Sequence, residues 1–227
     1  MANRHEHARG ILSARPGSPA EAGAGDRVGQ DTLRERLRGL LHVPASLDPA
    51  GPVPLLIMLH GAGARAGDVM PMVAPAADDH GVIVLAPDAR GATWDVIQPG
   101  FGPDVATLDE VLAAMFRAYP IDPQRIAIAG FSDGASYALS LGLANGSLFR
   151  DILAFSPGFA APARTEGRPR IFIAHGREDP VLPFARCGDR LAGSLRSAGY
   201  DVEDRPFSGG HVVPTEMVRA AFARFLG

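Results

Sequence analysis

Pro54-Leu55-Leu56-Ile57-Met58-Leu59 is an almost unbroken apolar run of strand length, and runs of the same kind recur along the chain. They are Val82-Ile83-Val84-Leu85-Ala86, Arg125-Ile126-Ala127-Ile128-Ala129, Asp151-Ile152-Leu153-Ala154-Phe155 and Arg170-Ile171-Phe172-Ile173-Ala174. A strand without polar alternation is covered on both faces, the mark of a mostly parallel sheet sandwiched between helices. The intervening segments agree: residues 69–80, 105–119, 135–143, 187–199 and 215–226 carry helix patterns, and residues 200–207 read as a further strand. Residues 33–44 mix polar alternation with an apolar end, which fits an edge strand, with a helix as the alternative. This order predicts an α/β fold whose site lies beyond the carboxyl ends of the strands.

A chain of 227 residues suits one such domain. Residues 1–30 are rich in Gly, Ala, Pro, Ser and Arg and are expected to form a flexible arm, with residues 31–227 as the α/β domain. No apolar run approaches the roughly 20 residues that span a bilayer, so membrane insertion is not expected. The charged start of the chain lacks the apolar core of a signal peptide, and a cytoplasmic setting is expected.

Composition closes off several chemistries. The single cysteine, Cys187, excludes an internal disulfide and any multi-cysteine metal site, and its surroundings carry no nucleophile signature. All 22 basic residues are arginine, so Schiff-base chemistry and a P-loop ATPase, which need a lysine, are excluded. A net charge of −3 with dispersed arginines gives no footprint for nucleic acid. His5-Glu6-His7 is read as incidental rather than as a metal site, and no cofactor is expected.

Against that background Gly130-Phe131-Ser132-Asp133-Gly134 stands out, because it puts a serine between glycines where a strand pattern meets a helix pattern. A sharp strand-to-helix turn lifts the hydroxyl clear of the sheet, and flanking glycines relieve the crowding. A nucleophilic serine needs a base, a carboxylate to orient the base, and donors for the oxyanion. In this architecture the acid follows the serine at a later strand end and the histidine comes last. Asp179, in His175-Gly176-Arg177-Glu178-Asp179-Pro180, meets the first demand, with Glu178 as rival orienter. His211, in Phe207-Ser208-Gly209-Gly210-His211, is the one histidine beyond it. His60-Gly61-Ala62-Gly63 follows the first buried run, and its glycines let main-chain amides face a reacting carbonyl; Ala62 and Asp133 are assigned the oxyanion N–H groups. His60 and His175 are read as structural. Trp94, Phe101, Met70, Met72, Phe159 and Leu182 lie in or beside the site loops and as a group suggest an apolar acyl or aryl surface for substrate.

His60-Gly61-Ala62-Gly63, Thr93-Trp94-Asp95, Gly130 to Gly134, His175 through Pro183 and Gly210-His211 together resemble the phospholipase/carboxylesterase family of α/β-hydrolases, which includes acyl-protein thioesterases. The resemblance spans roughly residues 33–227 in the right order. It implies an α/β-hydrolase fold, a triad of Ser132, Asp179 and His211, and an oxyanion hole of Ala62 and Asp133. The pattern departs at Asp133, where many thioesterases carry glutamine, and in the loop 98–103, so the acyl group is left open. Expected is a serine carboxylesterase acting on small-molecule esters of short to medium chain, with a thioesterase or a polyester- or feruloyl-type esterase as alternatives. A non-catalytic binding protein of the same fold is the alternative of another class. The connection 156–169 is too short for a helical cap, which predicts an open site.

Overall fold

A computed structural model describes residues 4–17, 33, 36–45, 47, 51–97 and 100–227. The apolar runs form the centre of a seven-stranded sheet. Its strands are β1 (Gly39–His42), β2 (Val53–Leu59), β3 (Ile83–Pro87), β4 (Ile121–Phe131), β5 (Asp151–Phe155), β6 (Arg170–Gly176) and β7 (Val202–Phe207), in the order β1-β3-β2-β4-β5-β6-β7. Every neighbouring pair is parallel except β1 with β3. All residues of β2, β3 and β5 are buried, as strands covered on both faces must be. The stretch 33–44 divides: Leu33 and Arg36 are helical, with the Leu37 N–H on Leu33 O at 2.8 Å, and Gly39–His42 form the antiparallel edge strand β1; residues 34 and 35 lie outside the described residues.

Helices cover both faces, each over its own apolar cluster. They are α1 (Arg4–His7), α2 (Ala66–His80), α3 (Pro103–Ala118), α4 (Asp133–Ala144), α5 (Gly188–Ser197) and α6 (Thr215–Leu226). Pro103 opens α3, where its missing N–H costs nothing, and Gly81 closes α2 in the left-handed conformation. Every residue of α4 after Asp133 is buried, which explains its small, apolar composition. The sheet lies on one side of α4. On the other lies the connection 156–169, which contains no helix and is tied down by Ser136 and Ser140, whose hydroxyls accept the N–H groups of Gly158 and Ala161 at 2.9 Å each. No cap rises from it.

The N-terminal arm needs correction over its described part. Residues 4–17 are packed, not loose: His7 and Leu12 are buried, and Asp109 of α3 accepts the N–H groups of Ser13 and Ala14 at 2.8 Å each and a bond from His7 at 3.0 Å. Asn145 adds a bond from the Leu12 N–H at 2.9 Å. Composition suggested looseness, but buried side-chain acceptors on α3 and after α4 supply the partners that the segment's backbone needs. Residues 1–3 and 18–32, the rest of that expectation, lie outside the described residues.

Chain direction now places the site. From β2 the chain moves to β3 on one side, then returns to β4 on the other, so the connections leaving β2 and β4 diverge. Such a switch point opens a crevice at the carboxyl ends of those two strands, and there the 60–63 turn and Ser132 face each other.

Candidate active site

Ser132 sits between β4 and α4 with φ 57° and ψ −119°, a backbone conformation that costs a non-glycine residue about 1–3 kcal/mol. The turn is so tight that glycine is required on both sides. A Cβ on Gly130 would stand 2.2 Å from the Gly134 carbonyl oxygen, and one on Gly134 would stand 2.3 Å from that of Leu59. The strain is held by the sheet, since the Ser132 N–H donates to Phe155 O at 2.9 Å.

The serine hydroxyl lies 2.9 Å from His211 Nε2, and His211 Nδ1 lies 2.6 Å from Asp179 Oδ2. A carboxylate only accepts, so Nδ1 carries the proton and Nε2 is free to accept the hydroxyl hydrogen. The other oxygen, Asp179 Oδ1, accepts the N–H groups of Val181 at 2.8 Å and Leu182 at 2.9 Å. Burial by itself would raise the Asp179 pKa, but the bonds from His211, Leu182 and Val181 outweigh it and hold the group below the ordinary aspartate value. Glu178, the rival orienter, does not reach His211. Its carboxylate accepts the Gly209 N–H, and its own N–H donates to Gly209 O at 3.0 Å, so it braces the loop that delivers the histidine.

On the opposite side of Ser132, Gly61 comes so close that a Cβ there would lie 3.4 Å from the Ser132 Cβ. The N–H groups of Gly63, Ala64, Arg65 and Ala66 are consumed by Ala92 O, Gly61 O, Asp68 and Asp88, while that of Ala62 has no partner among the described residues. Asp133 opens α4, so its N–H belongs to the first turn, which has no acceptor within the helix. Its carboxylate is turned aside by a 2.7 Å bond from Thr93. His60 is fully buried and structural, its Nδ1 donating to Gly61 O at 2.8 Å and its Nε2 accepting from Ala89 N–H at 3.0 Å.

The expected apolar substrate surface is largely corrected. Trp94 is 2% exposed, stacked on Tyr137, with its indole N–H on the His60 carbonyl. Phe101 is buried beside Tyr137 and Gly10, and Met70 is buried between α2 and the sheet. The packed arm and the column of aromatic rings cover Trp94 and Phe101 on one face of the sheet, and α2 with its neighbours covers Met70 on the other. Met72 is half-buried against the same face as Met70. Phe159 remains half-buried and lines a cavity of about 460 Å³ with Leu191, Leu195, Tyr200, Arg186 and Arg190, whose walls include no part of Ser132, His211 or Asp179. Leu182 is half-buried at the acid turn, its side chain against Gly158.

Two contributors went unread in the sequence. Phe131, the residue before the serine, packs its ring 4.8 Å from that of His211, and Ser136 bridges Ser132 O to the Gly158 N–H. A large residue beside the serine and a serine one helical turn later were the available signals. Among the described residues no cluster of three or more His, Cys, Asp or Glu side chains could hold a metal, and no helix is long and apolar enough to cross a membrane.

The sheet order, the strained serine at the switch point and the loops that meet it define an α/β-hydrolase. Solved structures share the fold: esterase PE8 superposes with a TM-score of 0.69 at 24% identity, covering 84% of this chain and 98% of that one. A carboxylesterase of Bacillus cereus gives 0.63 at 21%, covering 82% and 92%. More particularly, the chain belongs to the phospholipase/carboxylesterase family, whose model matches residues 95–226. Among curated relatives it is similar to an acyl-protein thioesterase 1 of Gibberella zeae, 33% identical over 108 residues that cover 43% of this chain and 46% of the relative. It also resembles a probable feruloyl esterase C of Aspergillus terreus, 27% identical over 78% of this chain and 68% of the relative. The chain thus spans less than half the length of the thioesterase that it matches.

Proposed function

We propose that this protein is a serine carboxylesterase that hydrolyses short- to medium-chain esters through an acyl-enzyme, with Ser132, His211 and Asp179 as its triad. The observation that carries this reading is the continuous line Ser132 Oγ to His211 Nε2 at 2.9 Å and His211 Nδ1 to Asp179 Oδ2 at 2.6 Å. His211 takes the hydroxyl proton as Ser132 Oγ attacks the ester carbonyl, and the carbonyl oxygen becomes an oxyanion facing the Ala62 and Asp133 N–H groups. The tetrahedral centre collapses, the C–O bond to the alcohol breaks, and His211 returns its proton to the leaving alkoxide. Water, deprotonated by His211, then attacks the acyl-serine and releases the acid. Asp179, kept ionised by its hydrogen bonds, stabilises the imidazolium in both steps.

The flat connection 156–169 and the half-buried serine favour small or extended esters over lipid droplets. The likeness to a thioesterase favours a second reading, thioester hydrolysis on the same groups. Reaction with a fluorophosphonate probe tests the mechanism: Ser132 should be labelled, and Ser132→Ala should lose both labelling and ester turnover while its circular dichroism stays unchanged. Labelling that persists in that variant overturns the assignment. Ester, thioester and amide substrates of one acyl group then separate the two readings.

A further inference from the structure

His175 is the next-to-last residue of β6 and only 1% exposed, and the acyl-transfer steps above give it no task. Its Nε2 lies 2.8 Å from Leu182 O and 3.2 Å from Asp179 Oδ2. Both neighbours accept only, so Nε2 bears the hydrogen, which it donates to Leu182 O with Asp179 Oδ2 close beside the same N–H. The second nitrogen, Nδ1, is buried without a partner among the described residues and faces Gly188 at the start of α5, so closely that a Cβ there would lie 2.5 Å away. A proton on Nδ1 would have no acceptor. Phe184 closes the ring's remaining side edge-on, its centroid 5.8 Å away.

We propose that His175 is a positioning residue for the acyl-transfer reaction: a neutral imidazole, protonated on Nε2, that pins the Asp179 carboxylate and the turn behind it toward His211. The inference rests on the esterase reading for its kinetic consequence, not for its geometry. Oδ2 receives the N–H of His211 with His175 Nε2 3.2 Å away on its other side, while Oδ1 receives the N–H groups of Val181 and Leu182, so the carboxylate is held on both oxygens and flanked by the two imidazoles. Rotation of the carboxylate would break bonds on both oxygens at once. Through Leu182 O the same hydrogen ties the far end of the turn back to β6.

Burial keeps the imidazole neutral. Burial pushes its pKa below the ordinary histidine value and the His211 cation adds to this, against the pull of Leu182 O and Asp179. Cys187, beside Gly188, is held in its uncharged thiol form, pushed up by burial and then by Asp179. A neutral donor holds the acid without competing for its charge, which stays available to His211.

The test compares His175→Leu, which keeps bulk and loses the donor, with His175→Gln, whose amide N–H can reach the Nε2 position. Each is assayed with a short-chain aryl ester across pH. His175→Leu should lower kcat by about 10²-fold, as a misplaced orienting group does, with KM nearly unchanged. The acidic limb of kcat/KM should move to lower pH, because a loosened carboxylate stabilises the His211 cation less. His175→Gln should recover most of the rate. The low-field proton resonance of His211 Nδ1 should be present in wild type, weakened in His175→Leu and restored in His175→Gln. That signal reads the positioning even if esters prove not to be substrates, whereas wild-type turnover and Ser132 labelling test the esterase reading alone. Should His175→Leu fail to fold, His175→Asn, which puts its donor on the Nδ1 side, takes its place with the same expected losses. A folded donor-less variant with an unmoved acidic limb and an intact low-field proton overturns the proposal, as does a glutamine variant no better than leucine.

Discussion

Trp94 donates its indole N–H to the His60 main-chain oxygen at 2.8 Å, and the two rings lie 4.8 Å apart. Tyr137 stacks on the indole at 5.1 Å, Phe101 stands 6.0 Å from Tyr137, and Gly10 closes over Phe101. An aromatic column thus runs from the N-terminal segment, through the core, to the turn that carries Ala62. The rings act on the site from behind it.

Replacing Trp94 by Phe keeps most of the packing and removes one donor. The buried His60 carbonyl then loses its partner, at a cost of about 1–3 kcal/mol in stability. Turnover should fall while KM changes little, since the turn moves and no substrate contact is lost. Thermal melts and ester kinetics on the variant check both; a raised KM at constant kcat would return Trp94 to the substrate surface.

The adjacent carboxylates should separate sharply. Asp179→Asn should lower kcat by about 10⁴, because the amide favours the wrong tautomer of His211. Glu178→Gln keeps an acceptor for the Gly209 N–H and should cost far less. Equal losses in steady-state assays would move the acid to Glu178.

Docking of the N-terminal segment should depend on acid. Burial raises the Asp109 pKa, but bonds from Ser13, Ala14 and His7 overcome this and leave it depressed. A depressed carboxylate contributes stability that is present above its unfolded pKa of about 3.9 and lost as pH falls through the lower folded value. Amide exchange across residues 4–17 should therefore lose protection in acid before the sheet does. Asp109→Asn should show the same loss already at neutral pH, and protection unchanged in that variant would refute the link.

With no cap on the connection 156–169, no closed state built from that connection exists for an interface to open. Rate should follow dissolved ester smoothly through the solubility limit, and short acyl chains should outperform long ones, since an open groove buries few methylenes, each worth about 0.8 kcal/mol when fully buried. A jump in rate where droplets form would point to a lid in the segment 99–103, of which residue 99 lies outside the described residues.

Much of the fold was legible because its signals are local. Continuous apolar runs of strand length such as Leu55 to Leu59, bounded by Gly and Pro, point to strands covered on both faces, and a serine between Gly130 and Gly134 where strand meets helix points to a turn too tight for side chains. Chain order then named Asp179 and His211, since a site of this architecture gathers at the strand ends. The sequence could not decide between Asp179 and Glu178, because neighbours in one turn differ only in where the turn points them. It also misassigned Trp94, Phe101 and Met70, whose apolar character fits a core as well as a pocket. Tertiary structure sets these placements: it puts Asp179, not Glu178, against His211, and burial depends on what packs over a residue from far along the chain, as residues 4–17 pack over Phe101 and α3. His175 shows the same limit, since its Nε2 meets Asp179 only after the strand ends and the turn folds back, a contact that residue types alone do not encode.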